Sequence, residues 1–430
     1  MARRGLAASG AASAAAAVAA ATVLLGARLC AAAAPQPVPF SSMLIGGGEF
    51  GAAQGEMLDA VVALAGGPGA ARVGVVAAAS GDPESEWSYY SALLQQHGAS
   101  FVYAIPILDT PGGRANNSDP AVVAALRSLT GVFMGGGDQM KIVNALFNDA
   151  PAPHTASPAL AAIRDALGAA RGVMAGTSAG AESQTGAVVI GSGDSYDALL
   201  YGASAWYPGD PDDDTPGNLT EFAPGGLNTF PFALVDGHFA QRGRQGRLLR
   251  LLLDTRGAAN GRNVSVGIDE DTALVTSPSG LATVIGAGGV LLFDASRAEA
   301  SGGGGPAAPW SVRGVRASRL TAGDSVDLLT LEVTQASWKR ALAGREHRDH
   351  ALSSEDVFEE HAFNFEAVAT SLVDASGDTV AWGATRQVSP VRFNITFDKS
   401  GGAQGFDGTH PETGAYSISY TGLLVGVTAA

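Results

Sequence analysis

Residues 172–180 read Gly-Val-Met-Ala-Gly-Thr-Ser-Ala-Gly, a short apolar run that ends in a serine bracketed by small residues. An apolar run of this length bounded by glycine predicts a strand buried on both faces. The small neighbours let the chain leave that strand sharply. The pattern Gly176-Thr177-Ser178-Ala179-Gly180 is the sequence form of a strained strand-to-helix elbow that lifts a serine hydroxyl above a sheet. In a chain this rich in glycine and alanine, the same five residues also fit a tight turn capped by a hydroxyl.

The rhythm continues outward from the elbow. Apolar runs at 43–48, 72–79, 100–107 and 131–134 alternate with stretches at 55–64, 83–97, 119–129 and 157–169 that carry apolar residues at helical spacing. That alternation predicts an α/β fold, a doubly wound and mainly parallel sheet flanked by helices. Residues 196–226 break the rhythm with aromatics, glycines, prolines and four aspartates, Asp210 and Asp212, Asp213 and Asp214. They read as one long solvated loop, because the aspartates lack the ligand spacing of a calcium loop. Pattern returns with an apolar run at 232–235, a helix expected from about Gln241 to Asp254, strands at 265–268 and 272–276, and a β-hairpin over 281–294. Residues 301–309, with four consecutive glycines, read as a linker or flexible loop. Runs of strand character beyond 343 predict a β-rich C-terminal extension. The expected organisation is a targeting segment over 1–40, one α/β domain over 41–342, and an extension of unassigned role over 343–430.

A chain of 430 residues with 46% apolar content can bury a large core. A formal net charge of −15 argues against a nucleic-acid partner, since phosphate binding needs clustered cations. At the start, Arg3 and Arg4 precede an Ala-rich apolar stretch, and no acidic residue appears before Glu49. With small residues at Ala31 to Ala34, this predicts a secretory signal cleaved near Ala34 and an extracellular or secretory-pathway destination. An organelle transit peptide leading to a lumen and an uncleaved anchor are the alternatives. Alanine contributes little to bilayer transfer, so no stable membrane span is expected after the signal is removed. Sequons at Asn116, Asn218, Asn263 and Asn394 agree with a secreted glycoprotein. Cys30, the sole cysteine, lies inside the leader. A disulfide framework, cysteine-ligated zinc and a cysteine nucleophile are thereby excluded from the mature chain.

A second glycine turn, Gly135-Gly136-Gly137-Asp138-Gln139, follows the apolar run at 131–134. In a doubly wound sheet, two such turns meet at the carboxyl ends of the strands. There the backbone N–H groups of Gly136 or Gly137 and of Ala179 would hold a developing oxyanion, a device worth about 3 kcal/mol per donor. A phosphate cradle is disfavoured by Asp138 and by the missing Lys-Ser or Lys-Thr ending. A nucleophilic serine also needs a base. Of seven histidines, His238 alone follows an apolar run, within a dense polar group that includes Asp236, Arg242, Arg244 and Arg247. Arg242 and Arg244 fall near the expected start of a helix, where the dipole disfavours cations, so either an anionic partner or surface ion pairs must account for them. Asp269, Glu270 and Asp271 supply carboxylates suited to orient an imidazole, and the residues alone do not choose among the three.

Together these motifs resemble the cyanophycinase family of serine peptidases, relatives of the aspartyl dipeptidases with a flavodoxin-like, glutamine-amidotransferase-like α/β fold. The matching runs are GGGE at 46–49, GGGDQ at 135–139, GTSAGA at 176–181, D-x-HF-x-x-R-x-R-x-x-RL at 236–248 and GIDEDTAL at 267–274. The resemblance spans residue 43 to about 338. It implies Ser178 as nucleophile, His238 as base and Glu270 as the orienting acid. Gln139, Asp236, Arg242, Arg244 and Arg247 would line the substrate pocket. The family usually carries Gln between the Asp and the His, where this chain has Gly237. The implied reaction is hydrolysis of a β-aspartyl-arginine polymer or an isoaspartyl peptide through an acyl-enzyme, with no metal or organic cofactor. The alternatives are an α-aspartyl dipeptidase of the same fold and a non-catalytic homologue that binds an anionic ligand. Family relatives form dimers, which makes a homodimer the expected assembly.

Overall fold

The computed structural model describes residues 35, 37–49, 55–148, 154–207, 217–303 and 305–430. Residues 1–34, with Cys30 and most of the targeting segment expected over 1–40, and the four aspartates at 210 and 212–214, lie outside the described residues. The apolar runs around the elbow form five adjacent parallel strands, in the order Ser41–Ile45, Val173–Thr177, Gly131–Met134, Arg72–Val76 and Phe101–Ile105. Helices Gly55–Leu64 and Pro83–Gln96 cover one face, with Met57, Val61 and Leu94 against Met43, Val73 and Phe133. Helices Pro120–Leu126, Gln139–Leu146 and Pro158–Ala170 cover the other. Burial on both faces is why the four inner strands read as continuous apolar runs, while the edge strand Phe101–Ile105 stays partly exposed; helices on both faces make the sheet doubly wound. The helix starts are written in the sequence. Asp82, Asp119, Asp138 and Ser157 each accept a backbone N–H in the first turn, a cap worth about 1 kcal/mol, and proline follows three of them.

Four antiparallel strands, Thr272–Thr276, Leu281–Gly286, Ser325–Asp327 and Val333–Thr334, extend this sheet beyond Ser41–Ile45 to nine. A second sheet of ten strands faces that half. Its main path runs from Leu234–Asp236 through Val264–Ile268, Gly289–Asp294, Ser311–Thr321, Tyr416–Ala429 and Phe393–Asp398 to Val380–Ala384. Residues beyond 343 therefore share one sheet with residues 234–321. Leu274, Val284, Val290 and Leu292 fill the space between the two sheets. The outer face of the second sheet carries helices Ser195–Tyr201, Gln245–Thr255 and Asn364–Val373. No helix among the described residues is long and apolar enough to cross a membrane.

Three local expectations are corrected. The stretch 281–294 is not a hairpin: Leu281–Gly286 pairs in the first sheet and Gly289–Asp294 in the second. Their apolar residues meet across the inter-sheet core, and apolar alternation identifies strands without naming their partners. Residues 196–226 are not one loop. Helix Ser195–Tyr201 opens the excursion, and strands Ala203–Ala205 and Leu219–Phe222 join Val189–Ile190 in a three-stranded sheet. The helix expected from Gln241 begins at Gln245, because His238 at φ 47° and Gly243 at φ 57° hold the preceding residues in a turn.

Candidate active site

Strand Val173–Thr177 ends one residue before Ser178, which occupies φ 54°, ψ −119°, and a short helix, Ala179–Glu182, follows at once. The flanking glycines are sterically required. A Cβ on Gly176 would sit 2.2 Å from the Gly180 carbonyl oxygen, and one on Gly180 would sit 2.3 Å from that of Met134. The elbow is pinned from beneath by the Ser178 N–H, which donates to Ile45 O at 2.9 Å.

The neighbouring strand Gly131–Met134 delivers the second glycine turn to the same end of the sheet. Gly136 faces the elbow, so that a Cβ there would lie 3.4 Å from Ser178 Cβ. Among the described residues, neither Gly136 nor Gly137 commits its backbone N–H to a carbonyl. Ala179 is the first residue of its helix, where an N–H has no intrahelical acceptor. Backbone donors not committed to a carbonyl, beside a hydroxyl, are what an oxyanion site requires.

His238 arrives from the other sheet, two residues after Leu234–Asp236, with its backbone N–H donating to Gly46 O at 2.5 Å. Its ring lies directly over Gly47, where any Cβ would collide with the imidazole at 2.2 Å. His238 Nε2 is 2.8 Å from Ser178 Oγ, and Nδ1 is 2.6 Å from Glu270 Oε1. A carboxylate only accepts, so Nδ1 carries the proton and Nε2 is left to accept from the serine hydroxyl. Among the three acids that the sequence left open, Glu270 alone reaches the imidazole. Asp269 turns inward and accepts from the N–H groups of Ala240 and Gly289. Asp271 occupies φ 55° in the turn. Burial pushes the His238 pKa below its ordinary value; the hydrogen bond to Glu270 opposes this, and the charges of Arg242 and Arg244 add to it.

A cavity of about 480 Å³ opens beside Ser178, with Gln139, Asp194, Arg242, Arg244 and Glu360 on its walls. The residues expected there divide into two groups. Arg242 is exposed at the mouth. Gln139 lines the wall, with its amide nitrogen donating to Gly191 O at 2.8 Å. Asp236 lies beneath the cavity instead of on its wall, because it is fully buried. Its carboxylate is taken up by Arg247, at 2.6 and 2.8 Å, and by Arg244, at 3.1 Å. Arg247 borders the cavity, but its guanidinium is committed to Asp236 and to Gly193 O. Arg244 is held between Asp236, Glu182 and Gly237 O, and burial lowers its pKa to about 10, leaving it charged at neutral pH. Gly237 donates its N–H to buried Glu182, and a side chain at 237 would meet Gly46 O at 3.1 Å.

Sequence reasoning missed Glu182, Asp194 and Glu360. Glu182 was within reach, since it follows Ser178 by one helical turn. Asp194 and Glu360 carried no local signal, because separate excursions of the chain bring them in.

No protein-family model matches the chain. It is 30% identical over 252 residues to the cyanophycinase of Synechococcus elongatus, covering 59% of this chain and 67% of that one. It is 28% identical over 260 residues to the cyanophycinase of a Nostoc species, covering 60% and 75%. A solved peptidase structure from an acI-B1 actinobacterium superposes with a TM-score of 0.46 at 20% identity, over 68% of this chain and 98% of that one.

Proposed function

The chain belongs to the cyanophycinase-like peptidase family, and from that premise we propose that it is a serine-type peptidase cleaving β-aspartyl-arginine or related isoaspartyl bonds through an acyl-enzyme. The observation that carries this reading is the continuous line of hydrogen bonds from Ser178 Oγ through both nitrogens of His238 to Glu270. In the first step, Ser178 Oγ attacks the scissile carbonyl while its proton passes to His238 Nε2. Glu270 stabilises the imidazolium that forms. The carbonyl oxygen becomes negative and is held by the N–H of Ala179 with that of Gly136 or Gly137, worth about 3 kcal/mol per donor. Collapse breaks the amide bond, and the imidazolium protonates the leaving amine. Water, deprotonated by His238, then attacks the ester and releases the acid and the free serine.

Arg242, cationic and exposed at the cavity mouth, suits a carboxylate of an aspartyl substrate. Arg244 and Arg247, tied to Asp236, serve mainly to shape the floor. Incubating the protein with cyanophycin, with β-Asp-Arg and with α-Asp peptides, followed by mass spectrometry, tests the reading. Cleavage of the β-linked substrates is expected. Ser178→Ala is expected to fold as the parent and lose turnover by a factor on the order of a thousand or more. Full activity in that variant ends the serine-peptidase reading, and cleavage confined to α-Asp peptides replaces the substrate with that of an aspartyl dipeptidase.

A further inference from the structure

Residues 358–361 lie far beyond the span of the family resemblance, yet they reach the cavity that holds Ser178. The His361 N–H donates to Gln241 O at 2.7 Å, and Gln241 in turn accepts from the Glu270 N–H through its Oε1 at 3.0 Å. Phe358 presses against the turn that precedes helix Gln245–Thr255. A Cβ on Gly243 would fall 2.0 Å from Phe358 O, and one on Gly246 would fall 3.1 Å from the Phe358 ring. Just upstream, the Val357 N–H donates to Ala384 O at 2.9 Å. The segment is thus anchored on both sides of Glu360, and Glu360 lines the cavity beside Asp194, Arg242 and Ser178.

The charges in that cavity are unbalanced in a particular way. Arg244 and Arg247 are balanced from below by Asp236 and Glu182 together. Asp194 uses one oxygen to cap helix Ser195–Tyr201; burial raises its pKa and Glu360 adds to this, against its backbone hydrogen bonds and the charge of Arg247. Among the described residues, Glu360 forms no ion pair or hydrogen bond through its carboxylate, and Arg242 forms none through its guanidinium. They line one cavity with opposite sign and do not pair with each other. Asp194 has Arg247 beside it, whereas the Glu360 carboxylate, exposed in the cavity, is left to pair with a cation that arrives from outside.

We propose that the C-terminal segment forms one wall of the active site, with Glu360 as a specificity-determining residue that binds the cationic side chain of the substrate. A substrate unit carrying both a free carboxylate and a guanidinium would then span the cavity from Arg242 to Glu360. This inference rests on the peptidase reading for its substrate, and its test is separable from that reading.

The test uses the full chain with Ser178→Ala and two peptides, β-Asp-Arg and its neutral isostere β-Asp-citrulline, titrated by calorimetry. The arginyl peptide is expected to bind about tenfold more tightly. Adding Glu360→Gln is expected to bring the two affinities together, and adding Glu360→Asp to retain part of the preference. In the active enzyme, Glu360→Gln should raise KM for β-Asp-Arg about tenfold with a much smaller change in kcat. Equal affinity for the two peptides before Glu360 is changed, or a preference that survives Glu360→Gln, overturns the inference. If the enzyme hydrolyses neither peptide while the charge preference and its loss are both seen, the peptidase reading falls and the role of Glu360 in binding stands.

Discussion

Ser178 at φ 54° and His238 at φ 47° are both non-glycine residues in the left-handed region, where each costs on the order of 1–3 kcal/mol. That two such residues present the hydroxyl and the imidazole ties the strain to the placement of these groups. The serine was legible because glycines on both sides leave a pattern in the sequence. Glu270 was named only through the family resemblance, since three successive acids differ only in where the turn points them, and the turn is set by Gly47 O receiving the Asp271 N–H. The electrostatics of His238 lead to a pH prediction. The base must be neutral to accept the serine proton, so kcat/KM should fall as pH drops through the His238 pKa. Burial and the neighbouring arginines place that midpoint below the ordinary imidazole value of about 6.5. Removing one positive charge with Arg242→Gln makes protonation easier and should move the acid limb to higher pH. High salt should narrow the difference between the two profiles. Profiles of kcat/KM measured at low and high ionic strength check this, and a variant limb that stays in place or moves toward acid contradicts the assignment.

At the scale of elements, strand Leu234–Asp236 and helix Gln245–Thr255 are locked by the pair Asp236–Arg247, in which both side chains are almost wholly removed from water. Arg247 was expected in the pocket from the family resemblance, and it does border the cavity, but a motif does not reveal that its guanidinium turns away to Asp236. Here Arg247 sends Nε and Nη2 to Asp236 and Nη1 to Gly193 O, which fixes the helix against the loop that carries Asp194. Removing Arg247 strips buried Asp236 of two hydrogen bonds and leaves it only the longer one from Arg244, so Arg247→Met should cost about 3 kcal/mol. Replacing both, as Arg247→Met with Asp236→Leu, also takes Asp236 from Arg244, which keeps only Glu182 and Gly237 O, and so should recover only part of that loss. Urea denaturation of the two variants and the parent measures it. A single variant as stable as the parent would mean that the pair contributes no net attraction. The misread hairpin at 281–294 has a related origin. The sequence marks Leu281–Gly286 and Gly289–Asp294 as strands correctly, but the two-residue connection between them passes from one sheet to the other, and only packing across the core decides that.

In the whole molecule, the five parallel strands and their helices were the most legible part, because four of the strands are almost wholly buried and four of the helices begin at a recognisable cap. Residues 343–430 were the least legible. Their strands pair mostly with one another, and the pairing that ties them to the rest of the sheet, Tyr416–Ala429 with Ser311–Thr321, joins residues about a hundred apart and leaves no periodic trace. Those pairings also yield the last prediction, that a chain ending at 342 does not fold. Truncation would strip Ser311–Thr321 of its neighbour Tyr416–Ala429 and open the core around Val312, Val315 and Ala317, which pack with Leu423, Val425 and Val427. It would also uncover a fully buried ammonium. Lys339 Nζ donates to Asp324 Oδ2 at 2.5 Å, to Thr321 Oγ1 at 2.5 Å and to Ser419 Oγ at 2.6 Å, and the last of these partners lies beyond the cut. A domain has a net stability of about 5–15 kcal/mol, which the loss of a central strand and the exposure of this core should exceed. The truncated chain is expected to appear in the insoluble fraction or to lack a cooperative urea transition. A soluble fragment that unfolds cooperatively and cleaves β-Asp-Arg as the full chain does would show that the second sheet closes without its C-terminal strands, and would remove Glu360 from the active site with them.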